Sequence, residues 1–393
     1  MSAMATEEEE EDSCEDSDCS SDLDDDGDPE EGERQHFLDV CWSFMDHPRD
    51  AAHDLARLQE SINELEDADF ALWNAQPETW LKEIQWRVEA NSKFLRLLPV
   101  PEVCGAELGP DCDRLVREVP PGHRPASRNT SKVRSTLQQF VRDWAQEGEA
   151  ERAASYAPLI QALRRHVPPG RGPAPTVLCP GCGLGRLPFD LVRCGYAAQG
   201  NEFSYHMLLG SHLILNRCTQ ACCHTIYPFA LTTTNRRGAT DHLRGVKVPE
   251  LCPRTALPPS AQLSMAAGEF IEVYKEQVGV WDAVATAFFL DTAKNVFIYI
   301  RTIAQITRCG GIWTNIGPLL YHYADVENEI SVELSWEEVR PAICRYFDIV
   351  EETTSVSQYG SNKASLTGIR YRCVFFVAVR NSVPPTGSSH PVF

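Results

Sequence analysis

Three glycines at alternate positions, Gly181, Gly183 and Gly185, follow the short apolar run Val177-Leu178-Cys179. Such a turn lets the backbone come close to a bound molecule, because no Cβ stands in the way. Glu202 lies 17 residues after the last of these glycines, where the next strand is expected to end. A carboxylate there can accept hydrogen bonds from ribose hydroxyls. Together these residues describe a nucleotide-type site at a strand tip. The spacing excludes two common versions of it. A dinucleotide loop reads G-x-G-x-x-G and would need glycine at 186, where the chain has Arg186. A Walker-type loop needs Gly-Lys-Ser/Thr, and none follows.

Two more polar residues fall just past expected strands. Asp291 closes the run Ala287-Phe288-Phe289-Leu290, and ligands of open α/β sheets sit at the carboxyl ends of strands. The same Asp291 could instead cap a helix from Ala293. His322 ends Gly317-Pro318-Leu319-Leu320-Tyr321-His322, on the same side of the sheet, although a lone histidine is more often structural than catalytic. No metal is expected. Cys179-Pro180-Gly181-Cys182 is formally C-x-x-C, yet it spans strand and loop and has no matching second pair. Cys218, Cys222, Cys223 and His224 are dense, but their spacing fits no usual zinc framework.

The elements that must position these residues come in two grammars. From about 35 to 168 apolar positions recur at helical spacing: Leu55, Leu58, Ile62 and Leu65, then Leu81, Ile84, Val88 and Leu95. Pro99 and Pro101 stop the second set. A polar stretch at 118–130 reads as a linker. A further helix carries Val133, Leu137, Phe140, Val141 and Trp144 on one face. Gln139 and Arg142, three apart, share its neighbouring stripe, ordinarily a solvated face. Another helix runs from about 150 to 166. From Pro173 strands alternate with helices: strands at 176–179, 197–201, 281–286 and 312–316, and a helix over 203–215. Near-continuous apolar strands suit a parallel sheet covered on both faces. The segments 347–352 and 371–379 are expected to form a terminal antiparallel pair, and 232–259 reads as an insertion.

Composition sets the class. The chain has 393 residues, 43% of them hydrophobic, and no apolar run long enough to span a bilayer. Its net charge is -20, of which residues 1–34, with 17 acids and one base, supply -16. That segment reads as a solvated acidic tail, with Ser13, Ser17, Ser20 and Ser21 as phosphorylatable positions; 381–393 reads as a short flexible end. The acidic balance and lack of a basic stripe argue against nucleic acid. An acidic start without an apolar core predicts no secretory signal. Fifteen cysteines, an odd number scattered through apolar segments, point to reduced thiols in a cytoplasmic or nuclear setting. The helical N-terminal region could support a homodimer.

The G-x-G-x-G loop resembles the S-adenosylmethionine loop of class I methyltransferases, whose cofactor has no pyrophosphate to cradle. Longer runs carry a more specific resemblance, to the carnosine N-methyltransferase family. They are Pro180-Gly181-Cys182-Gly183-Leu184-Gly185-Arg186-Leu187, Cys194-Gly195-Tyr196-Ala197-Ala198-Gln199-Gly200-Asn201-Glu202-Phe203-Ser204 and Phe288-Phe289-Leu290-Asp291-Thr292-Ala293. The run from Gly310 to His322 and the helix Thr136-Leu137-Gln138-Gln139-Phe140-Val141-Arg142-Asp143-Trp144 belong to the same set. The likeness covers about 130 to 380 and is weaker back to about 35.

The resemblance implies a Rossmann-like class I methyltransferase sheet with helices on both faces over 173–380, preceded by a helical region over 35–172. It implies methyl transfer from S-adenosylmethionine to an imidazole nitrogen of carnosine, giving anserine, and likeness in activity to histidine methylation in peptides or proteins. By resemblance, Gln139 and Arg142 contact the methionine end of the cofactor, Gly181 and Gly183 lie against it and Glu202 binds its ribose. Glu269 and Phe270 flank the adenine, and Ala283 contributes from its strand. Asp291, His322 and Tyr371 bind the substrate, with Asp291 orienting the imidazole. Departures from the family pattern stand at Cys182 for alanine, Glu269 for aspartate, Ala283 for cysteine and Lys294 for histidine. The last places a cation near Asp291.

Overall fold

The structure, a computed structural model, describes residues 28–73, 76–104, 106, 108–360 and 362–385. The segment 1–27, with its four serines, and the chain from 386 lie outside the described residues. Helix α1 (Pro29–Asn63) starts inside the stretch expected to be tail. The reason is local: the Asp28 side chain accepts the Glu30 N–H at 3.1 Å, and Glu30 and Glu31 in the first turn complement the positive end of the helix. It ends before Leu65, the last member of the expected stripe.

Helices α2 (Asp67–Leu72), α3 (Pro77–Leu95) and α4 (Cys112–Leu115) follow. Helix α3 buries the expected Leu81, Ile84, Val88 and Leu95. Helix α5 (Ser127–Trp144) begins within the expected linker, and α6 (Glu149–His166) leads to the sheet. Next come β1 (Thr176–Pro180), α7 (Arg186–Arg193), β2 (Ala197–Glu202) and α8 (Tyr205–His212), and then a ribbon of β3 (His224–Ile226) and β4 (Val246–Val248). The chain continues through α9 (Pro253–Ala256), β5 (Leu263–Ala267), α10 (Phe270–Tyr274), β6 (Trp281–Ala287) and α11 (Val296–Ile306). It ends with β7 (Thr307–Gly317), α12 (Trp336–Cys344), β8 (Phe347–Ser357) and β9 (Tyr371–Arg380). No described helix is long and apolar enough to cross a membrane.

The main sheet runs β5-β2-β1-β6-β7-β9-β8. Its first five strands are parallel, and β9 and β8 form the expected antiparallel end. Alternation along each strand divides two cores. Val177, Cys179, Ala283, Ala285, Ile312 and Ile316 face α6 and α7. Leu178, Val284 and Trp313 face α10, α11 and α12. Both faces are covered, which is why these strands read as apolar runs. The sheet order reverses between β1 and β6, and a crevice for ligands opens at such a switch point.

The helical region is fastened to the sheet through the last turn of α5. Its carbonyls have no partners within the helix and take them from elsewhere. Arg152 donates to the carbonyls of Arg142 and Ala145 at 2.7 and 2.8 Å, and Arg186 donates to that of Asp143 at 2.7 Å. The Trp144 indole N–H donates to the Leu184 carbonyl at 3.0 Å, inside the glycine loop. Glu250 joins both arginines, at 2.8 and 2.7 Å, and its own N–H reaches the Trp144 carbonyl at 2.7 Å. The stretch 232–259 is therefore more than a surface insertion: it supplies β4 and this bridging carboxylate. The chain turns back sharply at Gly148, where a Cβ would lie 2.2 Å from the Arg142 carbonyl oxygen. Replacing Glu250 by Gln leaves the largely buried Arg152 guanidinium without its counter-charge, while Arg186 keeps Asp190 at 2.8 Å. Denaturant unfolding is expected to show a loss of roughly 3–5 kcal/mol, and a loss below about 1 kcal/mol would contradict the bridge.

Candidate functional site

The tips of β1, β6 and β7 meet at one edge of the sheet. At β1, Gly181, Gly183 and Gly185 all adopt left-handed backbone, φ +60, +55 and +77°, which glycine takes without strain. A Cβ on Gly181 would lie 2.4 Å from the Phe289 ring, and one on Gly183 would lie 3.3 Å from the Gln139 amide nitrogen. The loop is thus bare backbone pressed between α5 and the β6 tip. Glu202 holds it there. One carboxylate oxygen accepts the Gly183 N–H at 2.8 Å, and the other accepts the N–H groups of Phe203 and Ser204, each at 3.0 Å. The loop also tolerates its larger residue. Cys182 is buried against Gly200, where a Cβ would lie 2.6 Å from its sulfur, and burial raises its thiol pKa well above the ordinary value.

Gln139 and Arg142 do not lie on a solvated face. Both are buried, because the last turn of α5 points at the loop instead of at water. The Gln139 amide donates to the Tyr359 hydroxyl at 3.0 Å. The Arg142 guanidinium lies 4.4 Å from the Tyr359 ring centre and 5.0 Å from that of Tyr156, distances suited to cation–π attraction. Its Nε lies 3.0 Å from Glu151, while its Nη2 is buried without a hydrogen-bond partner. A buried cation with an unused donor, beside the glycine backbone of the loop, fits the carboxylate end of an amino-acid-bearing nucleoside.

Glu269 caps α10 by accepting the Glu272 N–H at 2.9 Å, and burial raises its carboxyl pKa. Phe270 is buried against Phe289 and Tyr299, with ring centres 5.4 and 5.3 Å apart. Ala283 stands apart from these. It pairs with Val177 and Ile312 in the body of the sheet, near the start of β6 and away from its tip at Ala287.

Asp291 does not cap α11. That task falls to Asn295, whose side chain accepts the Phe297 N–H at 3.0 Å. Asp291 sits in a short 3-10 turn, 2% exposed, where one carboxylate oxygen accepts the Leu320 N–H at 2.9 Å. Its main-chain carbonyl accepts the His322 N–H at 3.2 Å, so the β6 and β7 tips are tied together. Burial pushes its carboxyl pKa up from 3.8 to about 6, a rise that His322 opposes. Lys294 is not loose near it: its ammonium pairs with Glu329 at 2.5 Å and lies 5.1 Å from the Tyr323 ring centre. Tyr371, at the start of β9, meets the Phe288 ring at 6.0 Å.

Phe288 and Tyr359 are the residues that the motifs did not single out. Phe288 holds a left-handed φ of +54°, rare for an aromatic residue and a mark of sites where strain is kept for function. Its ring lies 5.1 Å from Tyr359 and 5.6 Å from the Arg142 guanidinium. Only the placement of Phe288 just before Asp291 hinted at this. Tyr359 sits in the connection between β8 and β9, far from any motif. Elsewhere, the ligand atoms of Cys218, Cys223 and His224 lie within 4.8 Å of one another, a convergence the spacing did not suggest. Burial is the main reason that the Cys218 thiol pKa rises to about 12.

The family model described as carnosine N-methyltransferase matches residues 122–382. The chain is 38% identical to the carnosine N-methyltransferase of Rattus norvegicus over 360 residues, 89% of this chain and 87% of that one. It is 39% identical to the carnosine N-methyltransferase of Schizosaccharomyces pombe over 249 residues, 60% of this chain and 67% of that one. Among solved structures, TehB from Haemophilus influenzae is similar at a TM-score of 0.38 and 12% identity, over 63% of this chain and 67% of that one. With the family match spanning α5, the glycine loop and the β6, β7 and β9 tips, the chain belongs to the carnosine N-methyltransferase family.

Proposed function

We propose that this chain transfers a methyl group from S-adenosylmethionine to a ring nitrogen of carnosine, giving anserine, with Asp291 orienting the imidazole. The observation that carries this reading is a buried carboxylate at the β6 tip, across the sheet's switch point from a glycine loop and a buried arginine. When bound, S-adenosylmethionine supplies an activated methyl group, so the protein need provide no nucleophile of its own. What the chain provides is position.

A histidine ring with an ordinary pKa of about 6.5 is mostly neutral at pH 7 and carries a lone pair on one nitrogen. Asp291, accepting the N–H of the other nitrogen, fixes that tautomer and aims the lone pair away from itself. The same carboxylate stabilises the positive charge that the ring gains as its nitrogen forms the new bond. Alignment of this kind is worth on the order of 7–11 kcal/mol, so a strong base is unnecessary. Phe288 and Tyr371 pack ring against ring at the same end of the sheet, and His322 and Tyr371 offer polar groups to the rest of the dipeptide. The pairing of Lys294 with Glu329 supports this reading, since it gives that ammonium a carboxylate other than Asp291.

Three outcomes test the proposal. Incubation with labelled methyl donor, with carnosine and with cell protein in parallel arms, is expected to label the dipeptide. Label only in protein would move the substrate to a histidine in a polypeptide, and label in neither would refute methyl transfer. Asp291→Asn is expected to lower kcat/KM for carnosine by roughly 10²–10⁴-fold; normal turnover would remove Asp291 from the reaction. Folding raises the Asp291 pKa, so its ionised form opposes folding, and that deficit develops as pH rises from 3.8 to about 6. At pH 7 the Asn variant should therefore melt no lower than the parent chain. Activity runs the other way with pH. Below about 6 both Asp291 and the substrate ring become protonated, so log kcat/KM should fall toward a slope of 2, and toward 1 in Asp291→Asn. Equal slopes in the two proteins would contradict the assignment.

A further inference from the structure

The amino-acid end of S-adenosylmethionine carries two charges, a carboxylate and an ammonium, and a buried site must answer both. Arg142 suits the first. Next to it in α5 stands Asp143, 0% exposed, and its two carboxylate oxygens have different surroundings. Oδ1 accepts the Tyr156 hydroxyl at 2.9 Å and lies 3.5 Å from Arg142 Nη1. Oδ2 is buried with no hydrogen-bond partner.

Its direction is fixed by the glycine loop. A Cβ placed on Gly183 would lie 3.7 Å from Asp143 Oδ2 and 3.3 Å from the Gln139 amide nitrogen. The unused acceptor and the amide therefore face the same bare stretch of backbone. Fastening of α5 to the sheet does not need this oxygen, because Arg186 uses the Asp143 main-chain carbonyl. Buried polar atoms without partners are uncommon in folded proteins and call for an explanation. Arg142 Nη2 is in the same condition one residue away. Arg142 Nε also lacks a hydrogen bond, although it lies 3.0 Å from Glu151; a neighbouring cation and anion with idle polar atoms form the complement of a zwitterion.

We propose that Asp143 is the ammonium-binding residue of the cofactor site, Oδ2 accepting an N–H from the α-ammonium of S-adenosylmethionine or S-adenosylhomocysteine while Arg142 Nη2 meets the carboxylate. The assignment rests on the cofactor reading above. Tyr156 then acts as a positioning residue, fixing the carboxylate so that only Oδ2 turns to the loop.

Calorimetry on the full chain tests this with three ligands: S-adenosylhomocysteine, its deaminated analogue, and 5′-methylthioadenosine, which lacks the amino-acid end. In Asp143→Asn, the Kd for S-adenosylhomocysteine should rise by about 10–100-fold, as expected for loss of a charge-assisted hydrogen bond. The Kd for 5′-methylthioadenosine should stay within about twofold, a split that a merely structural role would not produce. Unchanged S-adenosylhomocysteine binding, or an equal loss for both ligands, would overturn the assignment. Should Asp143→Asn fail to fold, the unmodified chain still decides: it must bind S-adenosylhomocysteine at least about 10-fold more tightly than the deaminated analogue. Equal affinity would refute the ammonium contact. An unmodified chain that binds neither S-adenosylhomocysteine nor 5′-methylthioadenosine would instead refute the cofactor reading itself.

Discussion

The site depends on how one helix ends. The last turn of α5 would leave its carbonyls bare in a dry interior, and Arg152, Arg186 and the Glu250 N–H supply the donors. Because those donors come from α6, α7 and the segment before α9, the end of α5 is held against the glycine loop from three sides. Two buried guanidinium groups are expensive to hold away from water, and Glu250 between them offsets much of that cost. Arg142 and Asp143 sit on this turn, and Gln139 lies just before it. Their burial is imposed by the fastening, and so is their reach into the crevice.

The sheet supplies the other half. Five parallel strands bring the β1, β6 and β7 tips to one edge, and the order reverses between β1 and β6. The glycine loop and the Asp291 turn are therefore neighbours although they are far apart in sequence. Phe289 fills the position that a side chain on Gly181 would need, so the loop and the β6 tip constrain each other directly. Phe288, at its left-handed φ, is the hinge between strand and turn. Its ring reaches Tyr359 and Tyr371 from the β8–β9 end of the sheet, which closes the far wall of the crevice.

Much of this was legible in the sequence, and the limits have physical causes. Buried parallel strands announce themselves as apolar runs, so β1, β2 and β6 were read to within one residue, and so was the end of β7, although β7 starts at Thr307, five residues before the expected 312 and through the glycines read as a turn. The edge strand β5 was not, because Leu263-Ser264-Met265-Ala266-Ala267 is poor in β-branched and aromatic residues and only partly buried. Acidic composition hid the start of α1, since the same Glu30 and Glu31 suit both a solvated tail and the first turn of a helix. At the site, spacing exposed the glycine loop, Glu202, Asp291 and His322. Roles for Gln139, Arg142 and Tyr371 came only from likeness to a family, and spacing alone would have left the first two in solvent. Phe288, Tyr359 and the idle oxygen of Asp143 depend on tertiary contacts that no local pattern encodes. Ala283, implied by the same likeness, lies inside the sheet.

The central claim is that a buried carboxylate selects one tautomer of a substrate ring. Nitrogen NMR of ring-labelled carnosine, bound at pH 7 together with S-adenosylhomocysteine, observes that tautomer directly. The account predicts one protonated nitrogen, hydrogen-bonded to Asp291, and one with a free lone pair, the two in slow exchange and averaged again in Asp291→Asn. A bound ring whose nitrogens stay averaged in the unmodified chain, or one that binds as the doubly protonated cation, would contradict it.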